Sequence, residues 1–132
     1  MIFKKLTENL LKTHSKYSGF QVACVLKFKD GSEFNGQNIE NASFGATLCA
    51  ERVAMSNAFA NGMDLKDTTE IHLMSSSDKC IPMCGICIQT LSEFMSPDVD
   101  VFLYNKDGSD KMKLKFSNFM TYSLDLTGFR LP

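Results

Sequence analysis

The chain has 132 residues, of which 44% are hydrophobic and 22% charged, a balance typical of one globular domain with a substantial core. We therefore expect a single domain over residues 1–132. The formal net charge of −1 excludes a strong electrostatic attraction to nucleic acid or to an anionic membrane, so neither is an expected partner. Lysines and polar residues interrupt the first apolar positions, and we predict no signal peptide and no membrane-spanning segment.

Hydrophobic periodicity predicts nine elements in the order α-β-β-α-β-α-β-β-α. The predicted helices cover residues 2–17, 47–61, 84 to about 95, and 117 to about 124. The predicted strands cover residues 22–28, 32–36, 70–75, 99–104 and 111–116. Asp30-Gly31 and Asp107-Gly108 predict the turns of two antiparallel hairpins.

The second and last helices have recognisable ends. The predicted apolar stripe of the second helix consists of Leu48, Met55, Ala58 and Phe59. Gly62 is its predicted C-terminal stop, and Ser117 is the predicted N-cap of the last helix. A five-stranded mixed sheet with helices on both faces buries all of these segments, so the predicted fold class is a three-layer α/β/α domain. The lysines of the last strand indicate the solvated face of an edge strand.

The five cysteines are the residues that most constrain the function. An odd number in a chain of this length argues against a disulfide framework and favours reduced thiols, which indicates a cytoplasmic protein. Cys84 and Cys87 are three residues apart at a helix start, so both face one side of its first turn. With Cys49 they supply three of the soft ligands that zinc prefers, which leaves one coordination position open for water.

Two residues beside Cys49 fit catalytic zinc. Glu51 lies two positions after Cys49, close enough to exchange protons with a zinc-bound water. Arg52 is the candidate positive charge that offsets three thiolates around a divalent ion.

Other interpretations of the cysteines stay open at this point. Cys80 could complete a closed four-thiolate site, in which zinc is structural and Glu51 is incidental. Cys84 and Cys87 could instead be a redox pair, although the elements before them are not typical of thioredoxin-like proteins. Cys24, inside a predicted strand, is interpreted as a small core residue.

Four segments of the chain together resemble the small homotetrameric zinc-dependent cytidine deaminases. The segments are YSGFQV at 17–22, NIENASF at 38–44, CAERVA at 49–54 and CGICIQ at 84–89. The pattern C-x-E, followed after 32 residues by C-x-x-C, resembles the zinc nucleoside deaminase signature, which also has a form with histidine as the first ligand. The similarity runs collinearly over about residues 15–105.

The resemblance implies the role of each site residue. Cys49, Cys84 and Cys87 would bind one zinc ion, and Glu51 would shuttle protons. The predicted substrate-binding residues are Phe20 against the pyrimidine, Asn38 and Glu40 on the ribose, the backbone of Ala50 on the base, and Phe129 from a neighbouring subunit. From the residues alone, Asn38 and Glu40 could equally be turn formers and Phe20 a core residue.

The chain departs from the family pattern at four places. Met83 stands where proline usually precedes the first cysteine of the second motif, and Ile88 stands where an arginine usually follows the second. Phe44 replaces a tyrosine whose hydroxyl faces the sugar. The C-terminal motif is reduced to the segment 126–129. These departures bear on sugar recognition and assembly, and they leave the zinc chemistry unchanged.

The implied activity is hydrolytic deamination of cytidine and 2′-deoxycytidine to the uridine forms, with release of ammonia, in pyrimidine salvage. The alternatives are a deaminase of a modified cytosine nucleoside, of the aminoacyl-nucleoside antibiotic type, and a non-catalytic zinc-stabilised binding module. Editing of polynucleotides is disfavoured because the sequence has no basic groove or aromatic ladder.

Overall fold

The computed structural model describes residues 1–120 of the chain. The helices of this part are α1 (Ile2–Leu10), α2 (Ala50–Ala60) and α3 (Gly85–Ser92). The strands are β1 (Val22–Phe28), β2 (Glu33–Gln37), β3 (Thr68–Ser75), β4 (Asp100–Tyr104) and β5 (Lys111–Lys115). Short 3₁₀ helices cover Phe44–Ala46, Leu65–Asp67 and Phe116–Phe119. Within residues 1–120, no helix has the length and apolarity needed to cross a membrane.

The five strands form one mixed sheet in the order β2-β1-β3-β4-β5. β3 and β4 are parallel, with α3 as the crossover between them, and the remaining pairs are antiparallel. Both predicted hairpins are present, with Gly31 and Gly108 at positive φ (84° and 76°), where a side chain would be strained. β5 is an edge strand, as its lysines predicted.

Helices cover both faces of the sheet. On one face α2 and α3 enclose the larger core cluster, which includes Leu26, Ile71 and Leu91. On the other face α1 packs Leu6 and Leu10 against strand residues of a smaller cluster. The predicted three-layer α/β/α fold class is confirmed.

The predicted helices are longer than the observed ones. α1 ends at Leu10 and not near 17, because the chain then turns back so that His14 pairs with Ile39; Leu11, the C-cap, is 81% exposed. α3 ends at Ser92, before the predicted end near 95. The last predicted helix is a 3₁₀ turn over Phe116–Phe119 capped by Lys115 and not by Ser117, and its remainder lies outside the described residues.

The predicted apolar stripe of α2 is wrong in two of its four positions. Leu48 precedes the helix and Phe59 lies on its outer side, 42% and 67% exposed respectively. The face that meets the sheet consists of small residues, among them Ala54 and Ala58, which are both fully buried. Periodicity missed this face because alanine contributes little to an apolar pattern but allows a helix to approach a sheet closely.

Candidate active site

The amino-terminal ends of α2 and α3 meet at the three predicted ligand cysteines. Cys49 is the N-cap of α2, Cys84 is the N-cap of α3, and Cys87 lies in the first turn of α3. Neither N-cap side chain makes a capping hydrogen bond. The first N–H groups of both helices therefore give this place a partial positive charge, which favours thiolates.

The three sulfur atoms have the spacing of a zinc site. All three Sγ atoms lie within 4.8 Å of one another, and Cys49 Sγ is 3.8 Å from Cys84 Sγ. Thiolates at the usual Zn–S distance of about 2.3 Å in tetrahedral geometry are separated by roughly 3.8 Å. The Cys49–Cys84 pair has this separation, so the donor set fits one zinc ion, and a three-thiolate set leaves a fourth position for another ligand.

Cys80 is not part of this group. Its thiol donates hydrogen bonds to the carbonyl oxygens of Asp110 at 3.3 Å and Leu103 at 3.5 Å. The pKa of the Cys80 thiol is raised, mainly by burial and also by the nearby Asp110 carboxylate, and the thiol therefore stays protonated. Across residues 1–120, no fourth Cys, His, Asp or Glu joins the three sulfurs as a possible ligand. This arrangement argues against the closed four-thiolate alternative.

Cys49 and Cys87 differ in how readily they lose a proton, and Arg52 lies beside the more acidic of the two, Cys49. A hydrogen bond from Cys87, assisted by Arg52, lowers the pKa of Cys49 to about 5, whereas donating that hydrogen bond, together with burial, raises the pKa of Cys87. Arg52 Nη2 donates to the carbonyl oxygen of Thr47 at 3.1 Å and lies 3.6 Å from Cys49 Sγ. The guanidinium is thus held against the sulfur group, at the place the sequence predicted for a compensating cation.

Glu51 is buried beside the thiols without joining them. Its side chain is in the first turn of α2, and the residue is only 3% exposed. Burial raises the pKa of Glu51 to about 7. The pKa of the nearby Cys24 thiol is raised as well, mainly by burial and also by the Glu51 charge. Cys24 is a fully buried core residue, as predicted. A carboxyl group in such surroundings can both accept and donate a proton near neutrality.

A cavity of about 270 Å³ opens onto Glu51 and two of the cysteines. Its walls contain the other predicted substrate-binding residues of the described chain, Phe20, Asn38, Glu40 and Ala50. Sequence reasoning missed further lining residues: Ser18, Val22, Thr47, Leu48, Leu73, Ser75, Ile81 and Pro82. The alternation of β3 places Ser75 and Leu73 on one face, but only the folded sheet shows that the cavity lies there.

Glu40 and Asn38 are both buried, each 7% exposed, and differ in the partners they already have. Glu40 Oε1 accepts a hydrogen bond from the backbone N–H of Ser18 at 3.2 Å, and hydrogen bonds from Ser18 hold its pKa below the ordinary value. Asn38 Oδ1 accepts from the N–H of Val22 at 2.8 Å, and Nδ2 donates to the carbonyl oxygen of Phe20 at 2.9 Å. The amide of Asn38 therefore ties down the segment that carries Phe20.

The family departures occupy varied environments. Met83 is buried, Ile88 packs at the margin of the larger core cluster, and Phe44 is 74% exposed. Phe129, the residue predicted to reach a neighbouring pocket, lies outside the described residues.

Comparison with known proteins places these features in a family. Residues 2–103 match the model of the cytidine and deoxycytidylate deaminase zinc-binding region. The cytidine deaminase of Halalkalibacterium halodurans is 38% identical over 108 residues, covering 82% of this chain and 80% of the relative. That of Mycoplasma genitalium is 31% identical and covers 98% and 93%. The crystal structure of a Burkholderia pseudomallei cytidine deaminase superposes with a TM-score of 0.84 at 30% identity, covering 94% of this chain and all of that one.

Proposed function

The chain belongs to the cytidine deaminase family, and we propose that it hydrolyses the exocyclic amine of cytidine and 2′-deoxycytidine, releasing ammonia and the uridine nucleoside. The observation that carries the proposal is that the groups needed for this reaction lie together at one cavity. A zinc-compatible group of three thiols and a buried carboxyl group open onto one cavity of nucleoside size. These are the parts that hydrolytic deamination of cytosine needs.

Cys49, Cys84 and Cys87 would hold the zinc ion. When bound, zinc lowers the pKa of a coordinated water from 15.7 to about 7 and so supplies a hydroxide nucleophile at neutral pH. Arg52, beside Cys49 Sγ, offsets the thiolate charge that would otherwise oppose this acidification.

Glu51 carries the protons. Its carboxylate accepts the proton of the attacking water and delivers it to ring N3, which makes the carbon bearing the amine more electrophilic. Glu51 then takes the proton of the hydroxyl group added to that carbon and passes it to the departing amine, so that the carbonyl forms as the C–N bond breaks and ammonia leaves. Burial of Glu51 keeps bulk water from taking over these transfers.

The opposite side of the cavity would bind the nucleoside. Phe20 packs against the pyrimidine, and the backbone of Ala50 holds the base. Glu40 accepts a hydrogen bond from a ribose hydroxyl, because its buried carboxylate lines the cavity and has acceptor positions beyond those that the side chain and backbone of Ser18 occupy. Asn38 holds the start of β1 in place, and it would contact the sugar by exchanging its hydrogen-bond partner Ser15 for a hydroxyl.

The charge of the cavity favours nucleosides over their phosphates. Glu40 and Glu51 both line it, and the described lining residues include no lysine, arginine or histidine. A 5′-phosphate would therefore meet negative charge with no cation to pair with it. This consideration bears on substrate choice because the matched family model spans both cytidine and deoxycytidylate deaminases.

We also propose a homotetramer in the cytoplasm whose pockets are shared between subunits, acting in pyrimidine salvage. An apolar rim around the cavity supports association, since Phe20, Leu48 and Ile81 are 37–42% exposed there. Free thiols support a reducing compartment.

The direct test is a spectrophotometric deamination assay with zinc-loaded protein on cytidine, 2′-deoxycytidine and CMP. We expect turnover of both nucleosides and at least tenfold lower kcat/KM for CMP, a discrimination of about 1.4 kcal/mol. Activity on none of the three, with zinc bound at one ion per chain, would favour the non-catalytic zinc module.

A further inference from the structure

Gly36 is the point at which β2 and α2 come closest. A Cβ atom built at this position would lie 2.2 Å from the carbonyl oxygen of Ala50, 2.3 Å from the nitrogen of Ala54 and 2.9 Å from its Cα. All three are backbone atoms near the start of α2, from Ala50 in the first turn and Ala54 directly after it, and no change of rotamer can move them. The contact therefore admits only glycine at the present spacing of helix and sheet.

The segment that Gly36 touches is the one that carries the candidate chemistry. Ala50 lies between the ligand Cys49 and the proton carrier Glu51. Cys24, the cross-strand partner of Gly36, is fully buried on the same face. Gly36 and Cys24, two small residues on adjacent strands, thus form the surface under the first turn of α2, which we call the floor. Their size determines how closely that turn approaches the sheet.

The distance between the first turn of α2 and the sheet affects the group of three zinc-ligand cysteines, because these cysteines come from two different helices. Cys49 moves with α2, whereas Cys84 and Cys87 move with α3. The 3.8 Å separation between Cys49 Sγ and Cys84 Sγ therefore depends on where the sheet stops α2. A lateral shift of the first turn would change that separation and the position of Glu51 at the same time.

We propose that Gly36 is a positioning residue for this site, one that sets Cys49 and Glu51 against the thiols of α3. The proposal rests on the deaminase function. In the Gly36→Ala variant the methyl group must retreat to at least about 3.0 Å from backbone atoms, which shifts the first turn of α2 by most of an ångström. A displacement of about 1 Å in a catalytic group can lower the rate about 100-fold.

The matched control is Gly45→Ala. Gly45 has nothing within 4 Å of a built Cβ and does not have positive φ, so it receives the same methyl group in open space. The experiment compares wild type, Gly36→Ala and Gly45→Ala as cobalt- and zinc-loaded proteins. It measures the visible absorption of the cobalt–thiolate site, zinc affinity by chelator competition, kcat and KM for cytidine, and the melting temperature.

We expect Gly36→Ala to fold, to show a changed cobalt spectrum with weaker zinc binding, and to lose about 100-fold in kcat with a smaller change in KM. Gly45→Ala should match wild type in every measurement. A Gly36→Ala protein with the wild-type cobalt spectrum and wild-type kcat overturns the proposal, even if its melting temperature falls. An inactive wild type with a changed cobalt spectrum in the variant would instead count against the deaminase function alone.

A second variant covers the case in which Gly36→Ala does not fold. Cys24→Val adds volume to the same buried floor as a moderate overpacking, which lowers stability but keeps a hydrophobic residue at this position. We expect the folded Cys24→Val protein to show the same changes in spectrum and kcat at smaller size. A wild-type spectrum and kcat in this variant would contradict the proposal.

Discussion

Replacing Glu51 by glutamine is the sharpest test of the proposed mechanism. The substitution keeps the size and hydrogen-bonding shape of the side chain and removes its basicity. The three sulfurs group within 4.8 Å of one another without Glu51, so zinc should stay bound at one ion per chain. Glu40 and Phe20 are unchanged, so cytidine should still bind.

The expected loss of turnover follows from the surroundings of Glu51. Removal of a general acid–base usually costs about 100- to 10,000-fold in rate, or about 2.7 to 5.4 kcal/mol of transition-state stabilisation. Glu51 is 3% exposed, so bulk water cannot readily replace it as a proton carrier. Among the described residues of the cavity wall, Glu40 is the other carboxylate, and it is held by Ser18. We therefore expect a loss near the upper end of that range.

The assay measures zinc content, cytidine affinity and turnover on one preparation of Glu51→Gln. Glu93→Gln, the same substitution at an exposed position of the α3 C-cap, is the matched control and should behave as wild type. Transition-state analogues with a hydroxyl on the attacked carbon should lose far more affinity for Glu51→Gln than cytidine does. Turnover near the wild-type rate would refute the mechanism, and loss of zinc would show that Glu51 is a ligand.

Other variants test the neighbouring assignments. Cys80→Ser should keep one zinc and near-normal turnover while Cys84→Ser loses the metal; atomic absorption showing zinc loss from the Cys80 variant would restore the closed site. Glu40→Gln should raise KM for cytidine at least tenfold, or about 1.4 kcal/mol, with a smaller change in kcat; an unchanged KM removes Glu40 from the sugar site. Burial lowers the pKa of His72, because it outweighs the opposing effect of the Glu70 carboxylate. The folded state therefore binds a proton at His72 less readily than the unfolded state does. The stability that neutral His72 contributes is present above the unfolded pKa of about 6.5 and is lost as the pH falls below that value. Urea unfolding should therefore show wild type losing stability relative to His72→Gln between pH 7.5 and 5.5, and a constant difference would contradict this. Light scattering should find a tetramer, and a fully active monomer would exclude shared pockets.

Local patterns in the sequence are sufficient to predict which chemical groups the candidate site contains. In a helix, a spacing of three residues brings Cys84 and Cys87 to one side of the first turn, and Glu51 follows Cys49 by two residues at the start of another helix. The same holds for the hairpins, because Asp30-Gly31 supplies the backbone freedom that its turn requires. These features are short-range, so local patterns are sufficient to predict them.

Contacts between distant segments set where the helices stop and which cysteines meet. Cys80 is four residues from Cys84 in the chain, yet its thiol faces the carbonyl oxygens of Leu103 and Asp110, because the loop before α3 packs against the end of β4. The close approach of Gly36 to α2 is a contact between segments distant in sequence, which periodicity does not encode. The ends of the helices, the hydrogen-bond partners of each thiol and the distance between α2 and the sheet all depend on how distant segments pack together. That packing exists only in the folded chain, so local sequence patterns do not encode it.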